Sequence, residues 1–337
     1  MILVTGGTGL VGSHLLYKLI ERGEKVKAIY RTKEKIKAVK RVFSYYSSNY
    51  EALFSEIEWI EATLNDIPSL EVAFKNVTHV YHCAAFISFD TKDYQALRRI
   101  NIEGTANIVN LGVSNNIKKL CYVSSIATIG KEVNDQLITE ETHWNPEEDQ
   151  SVYSITKYGA EMEVWRGTQE GLDAVVVNPG VIIGPGFWRG GGSGSLIKMV
   201  YKGMSRYTKG VVGYIDVNDV VKPMILLMEK DIVNERFILI SENLSYQDFF
   251  TKTAVHLNVQ APKKLASKTL LSLAWRLDWM RSFLLNKRRR LMKQTTKTIT
   301  TKAYYSNKKI KDAIDYKFKP IDESLAETCQ FFLKESH

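Results

Sequence analysis

"TGGTGLVGSHLLYKL", residues 5–19, follows the apolar run "MILV" at the start of the chain. The order is strand, glycine turn, helix. Gly6, Gly9 and Gly12 fall where a phosphate-binding turn needs them: one for the tight turn, one to let a pyrophosphate approach the backbone, one to bring helix close to strand. The helix N-terminus then offers its unpaired N–H groups to the negative charge. Thr5, Gly6, Gly7, Thr8, Gly9, Leu10, Val11 and Gly12 are therefore the expected dinucleotide-phosphate turn. Glycine-rich turns also simply end strands, so the rest of the chain has to supply the context.

It does so by alternation. "MILVT" precedes a helical pattern at 10–22, "KVKAIY" one at 33–43, "IEWIEA" one at 68–75, "VTHVYHCAA" one at 91–113, and "IKKLCYVSS" one at 151–169, before "DAVVVNP". Strands and helices taking turns predict an α/β Rossmann fold with a doubly wound parallel sheet. The dinucleotide domain is expected over 1–180, with 214–240 returning to the sheet. A smaller, partly helical substrate-binding region is expected from 181–213 and 241–337.

The end of the second strand indicates which dinucleotide. An acid there, about 20 residues past the glycines, takes the ribose hydroxyls of NAD, whereas arginine suits a 2′-phosphate. This chain reads "AIYRTKEK". Arg31, with Lys35 and Lys33 nearby, favours NADP(H), with NAD(H) as the alternative and ordinary solvated charges as the plainer reading.

Composition bounds the rest. Of 337 residues, 45% are hydrophobic and 25% charged, which fits a soluble globular chain and not a disordered one. No apolar run is long enough to span a bilayer. The opening residues lack a basic and apolar leader, and Cys83, Cys121 and Cys329 are scattered, so a cytoplasmic location is expected, without disulfides or a metal cluster. The net charge of +9 is local: Lys263 to Lys311 holds 15 Lys and Arg against one acid, Asp278. No aromatic and basic interleaving accompanies "KRRR", so nucleic acid is not an expected partner. Residues 265–285, followed by "NKRRR", could cap the substrate pocket and pack on the body, the favoured reading. Alternatively, 265–290 could touch a membrane surface.

"SVYSITKYG", residues 151–159, sets Tyr153 four residues before Lys157, on one helical face. The same spacing recurs at Tyr304 with Lys308 and at Tyr305 with Lys309, so spacing alone does not select a catalytic tyrosine.

The ordered set does. "YHCAA" at 81–85, "NIEGT" at 101–105, "YVSSIATIG" at 122–130, "YSITK" at 153–157, "VNPGVIIGPG" at 177–186, "YIDVNDVV" at 214–221 and "YYSNKKIKDAI" near the end follow one another. In this order they resemble the extended short-chain dehydrogenase/reductase superfamily, the NAD-dependent epimerase/dehydratase family. The resemblance implies that Ser125, Tyr153 and Lys157 are catalytic, and that Tyr153 and Lys157 also touch the cofactor. It implies that Tyr304 and Tyr305 are surface or packing tyrosines. It assigns Asp66 and Ile67 to the adenine, although an aspartate there is also an ordinary helix cap. Ala84 and Ala85 would let the cofactor lie against the sheet, Asn101 would stand in the helix behind the site, Ser124 would be a cofactor contact and the less favoured catalytic serine, and Pro179, Gly180 and Val181 would present backbone to the nicotinamide carboxamide. Pairing of two copies through 91–113 and 151–169, as relatives pair, is a further implication. His14 and His82 have no partner pattern and are read as structural.

A phenol with an ordinary pKa of about 10 must come toward neutrality to exchange protons freely, and three pH units are worth about 4 kcal/mol. Lys157 and an oxidised nicotinamide are the expected sources of that shift. Dehydration is disfavoured, because Ile126 and Ala127 stand where dehydratases place an acid pair. Sugar-nucleotide epimerisation is the alternative, but Val212 and Gly213 replace the usual pyrophosphate-binding arginine, leaving Arg206 and Lys209 as substitutes. The "VVVNPGVIIGPG" stretch resembles the dihydroflavonol reductase, cinnamoyl-CoA reductase and 3β-hydroxysteroid dehydrogenase branch. An NADP(H)-dependent alcohol/carbonyl oxidoreductase acting on a partly apolar small molecule is the expectation, with Phe86, Phe187, Trp188 and Arg189 on the substrate side. A second alternative is a cofactor-sensing regulator without catalysis.

Overall fold

A computed structural model describes residues 1–132, 136–188, 192–285, 287, 289 and 291–336. Arg189 lies outside the described residues. Seven parallel strands form the central sheet in the order Glu58–Glu61, Val26–Tyr30, Ile2–Thr5, His79–His82, Lys119–Val123, Ala174–Pro179, Glu235–Leu239. In the central strands Ile2–Thr5, Lys119–Val123 and Ala174–Pro179, consecutive apolar residues follow from burial on both faces. On one face the helices Leu10–Glu21 and Val217–Glu229 bury Leu15, Leu16, Val220 and Met224. On the other, Gly104–Ser114 and Val152–Gln169 bury Ile108, Val109, Ala160 and Val164. Each such side chain stabilises the fold by about 1.5–3 kcal/mol relative to exposure.

Crossovers run outward in both directions from Ile2–Thr5, so a crevice opens beyond the carboxyl ends of this strand and His79–His82, the switch point where doubly wound sheets hold ligands. Thr5, Tyr30, His82, Val123 and Pro179 end their strands on that edge.

The region expected as one helix at 91–113 is segmented: a 3-10 turn Thr91–Asp93, a short helix Tyr94–Leu97, a π-helical stretch Arg98–Glu103, then Gly104–Ser114. Within 214–240, Glu235–Leu239 pairs with Ala174–Pro179 in the central sheet. Val211–Asp216 instead lies between Val181–Ile183 and Glu242–Ser245 in a separate three-stranded sheet. Around that small sheet, Tyr214, Phe249, Leu325 and Phe332 form a second core with the helices Ser193–Tyr201, Tyr246–His256 and Ile321–Ser336. Tyr304 and Tyr305 pair with Leu137 and Ile138, and Tyr305 packs against Ile238 and Ile240.

The helix Lys268–Leu285 departs from the favoured expectation of packing on the body. Ser282 is its one buried residue, and Leu273, Leu277, Trp279, Met280, Phe283 and Leu284 face solvent. The chain that follows folds back on its polar side, where Asp278 and Ser282 take up hydrogen bonds that an apolar face lacks. No described helix is long and apolar enough to cross a membrane.

Candidate active site

Gly6 stands at φ +69, where a side chain is strained, and a Cβ there would lie 2.5 Å from the Ala84 nitrogen. A Cβ on Gly12 would sit 2.2 Å from the Gly6 oxygen. Turn, helix and neighbouring strand meet with no space for either. Gly9 caps the helix Leu10–Glu21 with no side-chain hydrogen bond and no acid in the first turn. The first-turn N–H groups therefore face the crevice without an internal anion, and the cradle fits a dinucleotide phosphate. Thr5 sits beneath, fully buried: its Oγ1 is 2.6 Å from His82 Nδ1 and accepts from the Ala84 nitrogen. His82 Nε2 lies 3.0 Å from Thr105 Oγ1. Burial pushes His82 down to about 3 and His14 to about 4, so both are neutral links between elements.

At the adenine end, Arg31 and Lys35 are exposed just past the second strand, without an ion-pair partner among the described residues. Asp66 occupies the cap position of Ile67–Phe74, yet its carboxylate makes no capping bond. The plain capping role is not taken up, and the acceptor oxygens stay available. Asn101 occupies the π-helical stretch and holds the loop after Ala84 and Ala85: its Oδ1 accepts from the Phe86 nitrogen at 2.8 Å, and its Nδ2 donates to the Phe86 oxygen at 3.0 Å and to Thr156 Oγ1 at 3.3 Å. The extra residue of a π turn delivers this amide inward.

Ser125 caps a 3-10 turn, accepting from the Ala127 nitrogen at 3.1 Å. Ser154 of the tyrosine helix donates to the Ala127 oxygen at 2.5 Å, fastening that turn to the helix. Ser125 and Tyr153 are consequently brought together. Burial raises the Tyr153 pKa, while the neighbouring Ser125 hydroxyl opposes the rise. Tyr153 is thus a protonated phenol at neutral pH.

The expected effect of Lys157 on Tyr153 needs correcting. The Lys157 ammonium points elsewhere, donating to Tyr122 OH at 2.6 Å and to the Val123 oxygen at 2.9 Å, and it is not among the causes acting on Tyr153. The reason is geometric, since the fully buried Tyr122 hydroxyl and the strand-end carbonyl are the acceptors within reach. Desolvation pushes Lys157 down to about 7, opposed by Glu161 and Cys83.

That depression sets a pH dependence. Between about 7 and the ordinary lysine value the folded chain binds fewer protons than the unfolded one. Stability therefore rises with pH across that window, and the cost of burying the ammonium is fully present below about 7. Thermal melts of the ligand-free protein should show wild type gaining on Lys157→Met between pH 7 and 9 by at most about 3 kcal/mol. A constant gap between the two would contradict this placement of the charge.

Glu161 is not singled out by the sequence. Glu161, one turn beyond Lys157, is fully buried. Its Oε2 accepts from Ser124 Oγ at 2.6 Å, Thr128 Oγ1 at 2.8 Å and Asn178 Nδ2 at 3.0 Å, and its Oε1 is 3.5 Å from Arg236 Nη1. Ser124 therefore braces the Ser125 turn from behind. The regular spacing of Tyr153, Lys157 and Glu161 on one helical face was the available signal.

On the substrate side, Phe89 packs on Tyr153 with ring centroids 5.5 Å apart and is itself partly exposed, as is Ile87. The apolar run "FISFD" after Ala85 was the clue to both. Phe86 is half-buried beside them. Phe187 is also half-buried, and Trp188 is fixed, its Nε1 donating to Glu335 Oε2 at 2.9 Å and its ring edge-on to Phe332. Pro179 ends its strand buried, and Gly180 and Val181 follow partly exposed, with the Gly180 nitrogen bonded to the Leu239 oxygen.

A Rossmann crevice with a glycine phosphate cradle at one end and a paired serine and tyrosine at the other defines a dinucleotide-dependent enzyme. The sequence model of the NAD dependent epimerase/dehydratase family matches residues 2–239, and the chain belongs to that family. Among its relatives are a protein named putative dihydroflavonol 4-reductase from Synechocystis sp., 31% identical over 81% of this chain and 77% of its own, and sterol demethylase protein B from Methylococcus capsulatus, 30% identical over 72% and 70%. A UDP-glucose 4-epimerase from Thermotoga maritima, solved with UDP-glucose, superposes with a TM-score of 0.78 over 100% of this chain and 99% of its own, at 22% identity.

Proposed function

We propose that the protein is an NADP(H)-dependent oxidoreductase that interconverts a carbonyl and an alcohol on a partly apolar small molecule. The observation that carries this reading is the Ser125–Tyr153 pair beneath the partly exposed Phe89 ring. The bound nicotinamide supplies or takes up the hydride. Ser125 donates a hydrogen bond to the substrate oxygen, and Tyr153 delivers the proton to it in reduction and removes it in oxidation. With its pKa raised in the ligand-free chain, Tyr153 carries the proton at neutral pH, and the positive charge of the oxidised nicotinamide would bring the phenol down toward neutrality. Lys157, held at the strand end by Tyr122 and Val123, would hold the nicotinamide ribose, and Asp66 would take the adenine amino group. Arg31 and Lys35 favour a 2′-phosphate.

The likeness to reductases, and to a relative named for sterol chemistry, supports the apolar substrate. Epimerisation of a sugar nucleotide is the second reading, favoured by the solved epimerase of the same fold. Against it, Val212 packs in apolar cores where a pyrophosphate would need a cation, and Arg206 is engaged with the Leu265 oxygen at the far edge strand. A panel of aldehydes, ketones and sterols, with UDP-sugars alongside, tests the assignment through loss of the reduced nicotinamide absorbance. Consumption of NADPH by an apolar carbonyl, and at least about tenfold tighter NADPH than NADH by fluorescence titration, are expected. Sugar epimerisation without net cofactor consumption would replace the reading.

A further inference from the structure

We propose that the Lys268–Leu285 helix is a docking surface for an anionic lipid bilayer. The proposal stands on surface geometry and does not depend on the reaction assigned above.

The helix has its amphipathicity turned outward. Over 18 residues its one buried residue is Ser282. The side of the helix that carries Asp278 and Ser282 is bonded within the chain: Asp278 pairs with Arg281 and accepts from the Leu291 nitrogen, and Ser282 donates to the Lys287 oxygen. Opposite them, Leu273, Leu277, Met280 and Leu284 recur at spacings of four, three and four, with Trp279 and Phe283 alongside. Phe283 is 76% and Leu284 73% exposed, and the Trp279 and Phe283 rings stack on each other in the open. An apolar stripe of this length facing water is a cost that a folded chain keeps only where something covers it.

Charge selects the cover. The segment from Lys263 to Lys311 carries +14, while the rest of the chain is net acidic, so the excess of cations lies in the same stretch of sequence as the stripe. Arg276, exposed and stacked on Trp275, adjoins the stripe, and "NKRRR" follows its end. Apolar side chains and tryptophan flanked by Lys and Arg match the acyl boundary and headgroups of an anionic leaflet. A second copy of this chain would bring an equal concentration of positive charge to the contact. After the helix, the chain returns to the active-site side: Lys293 lies 3.7 Å from Asp149, and Tyr304–Tyr305 joins Leu137–Ile138. A bilayer held by this helix would thus lie near the loop leading into Tyr153.

Flotation of the full chain tests this, using vesicles of phosphatidylcholine alone and of phosphatidylcholine with about one third phosphatidylglycerol. Wild type should float with the anionic vesicles, bind neutral ones at least about tenfold less, and be released by about 0.5 M salt. The triple variant Leu277→Glu, Phe283→Glu, Leu284→Glu should lose binding by at least about tenfold. Its melting temperature and NADPH affinity should stay as in wild type, since none of the three is buried. Failure of wild type to float would overturn the proposal, as would equal flotation of the triple variant. A lipid-free dimer by light scattering that the triple variant dissolves, with no flotation, would assign the stripe to a second copy and overturn it as well.

Discussion

Tyr153→Phe is expected to lower turnover by about a thousandfold while leaving NADPH affinity within about threefold of wild type. The change removes one oxygen. The helix that carries the ring is capped by Ser151 and fastened through Ser154 to the Ala127 carbonyl, so neither the ring position nor the Phe89 contact depends on the hydroxyl. What is lost is the proton donor to the substrate oxygen. Ser125 keeps its bond from the Ala127 nitrogen, so the turn stays in place. Steady-state kinetics with a separate cofactor titration distinguishes the outcomes. Unchanged turnover would remove Tyr153 from the mechanism, and joint loss of turnover and cofactor binding would make it a structural residue.

Gly12→Val should act at the other end of the crevice and abolish dinucleotide binding, by more than about a hundredfold, with a loss of stability of about 3 kcal/mol or more. A Cβ at this position would overlap the Gly6 oxygen, and would come within 2.8 Å of the Gly7 Cα. Both obstacles are backbone, which yields only by moving the turn. Moving it would displace Gly6, itself pressed against Ala84 and Cys83 and held at positive φ. The misfit therefore propagates to the neighbouring strand instead of relaxing locally. Calorimetry of the variant with NADPH and a thermal melt read the two effects separately, and near-normal binding would show that the turn does not cradle the phosphates.

The parts of this architecture that were legible in the chain share a physical cause. "MILVT", "KLCYV" and "AVVVNP" form strands buried on both faces, so apolar residues run consecutively within them. The glycine turn was equally readable, because close backbone approach admits only glycine. Features that depend on distant partners were not. The π-helical stretch at Arg98–Glu103 answers to the bonds between Asn101 and the Phe86 backbone, which no local propensity encodes. Lys157 was assigned to help Tyr153 from their shared helical face, yet its ammonium is claimed by Tyr122 on the adjacent strand. Glu161 reads as a charged position on a helix and is instead the buried centre of five side chains, from Ser124, Thr128, Trp165, Asn178 and Arg236. At 265–285 the apolar arc was visible, but the side of the helix turned to the body was not, because it is set by the return loop hydrogen-bonding Asp278 and Ser282.

The central claim is that Ser125 and Tyr153 serve a net reduction, in which an apolar carbonyl keeps both the hydride and the proton. Following the isotope from deuterated NADPH, labelled at the transferring position of the ring, tests it most directly. The account predicts one deuterium on the carbinol carbon of the alcohol product, with an equal amount of oxidised cofactor, and loss of both in Tyr153→Phe. Product formed without label, or label returned to the cofactor during turnover of a UDP-sugar, would contradict it.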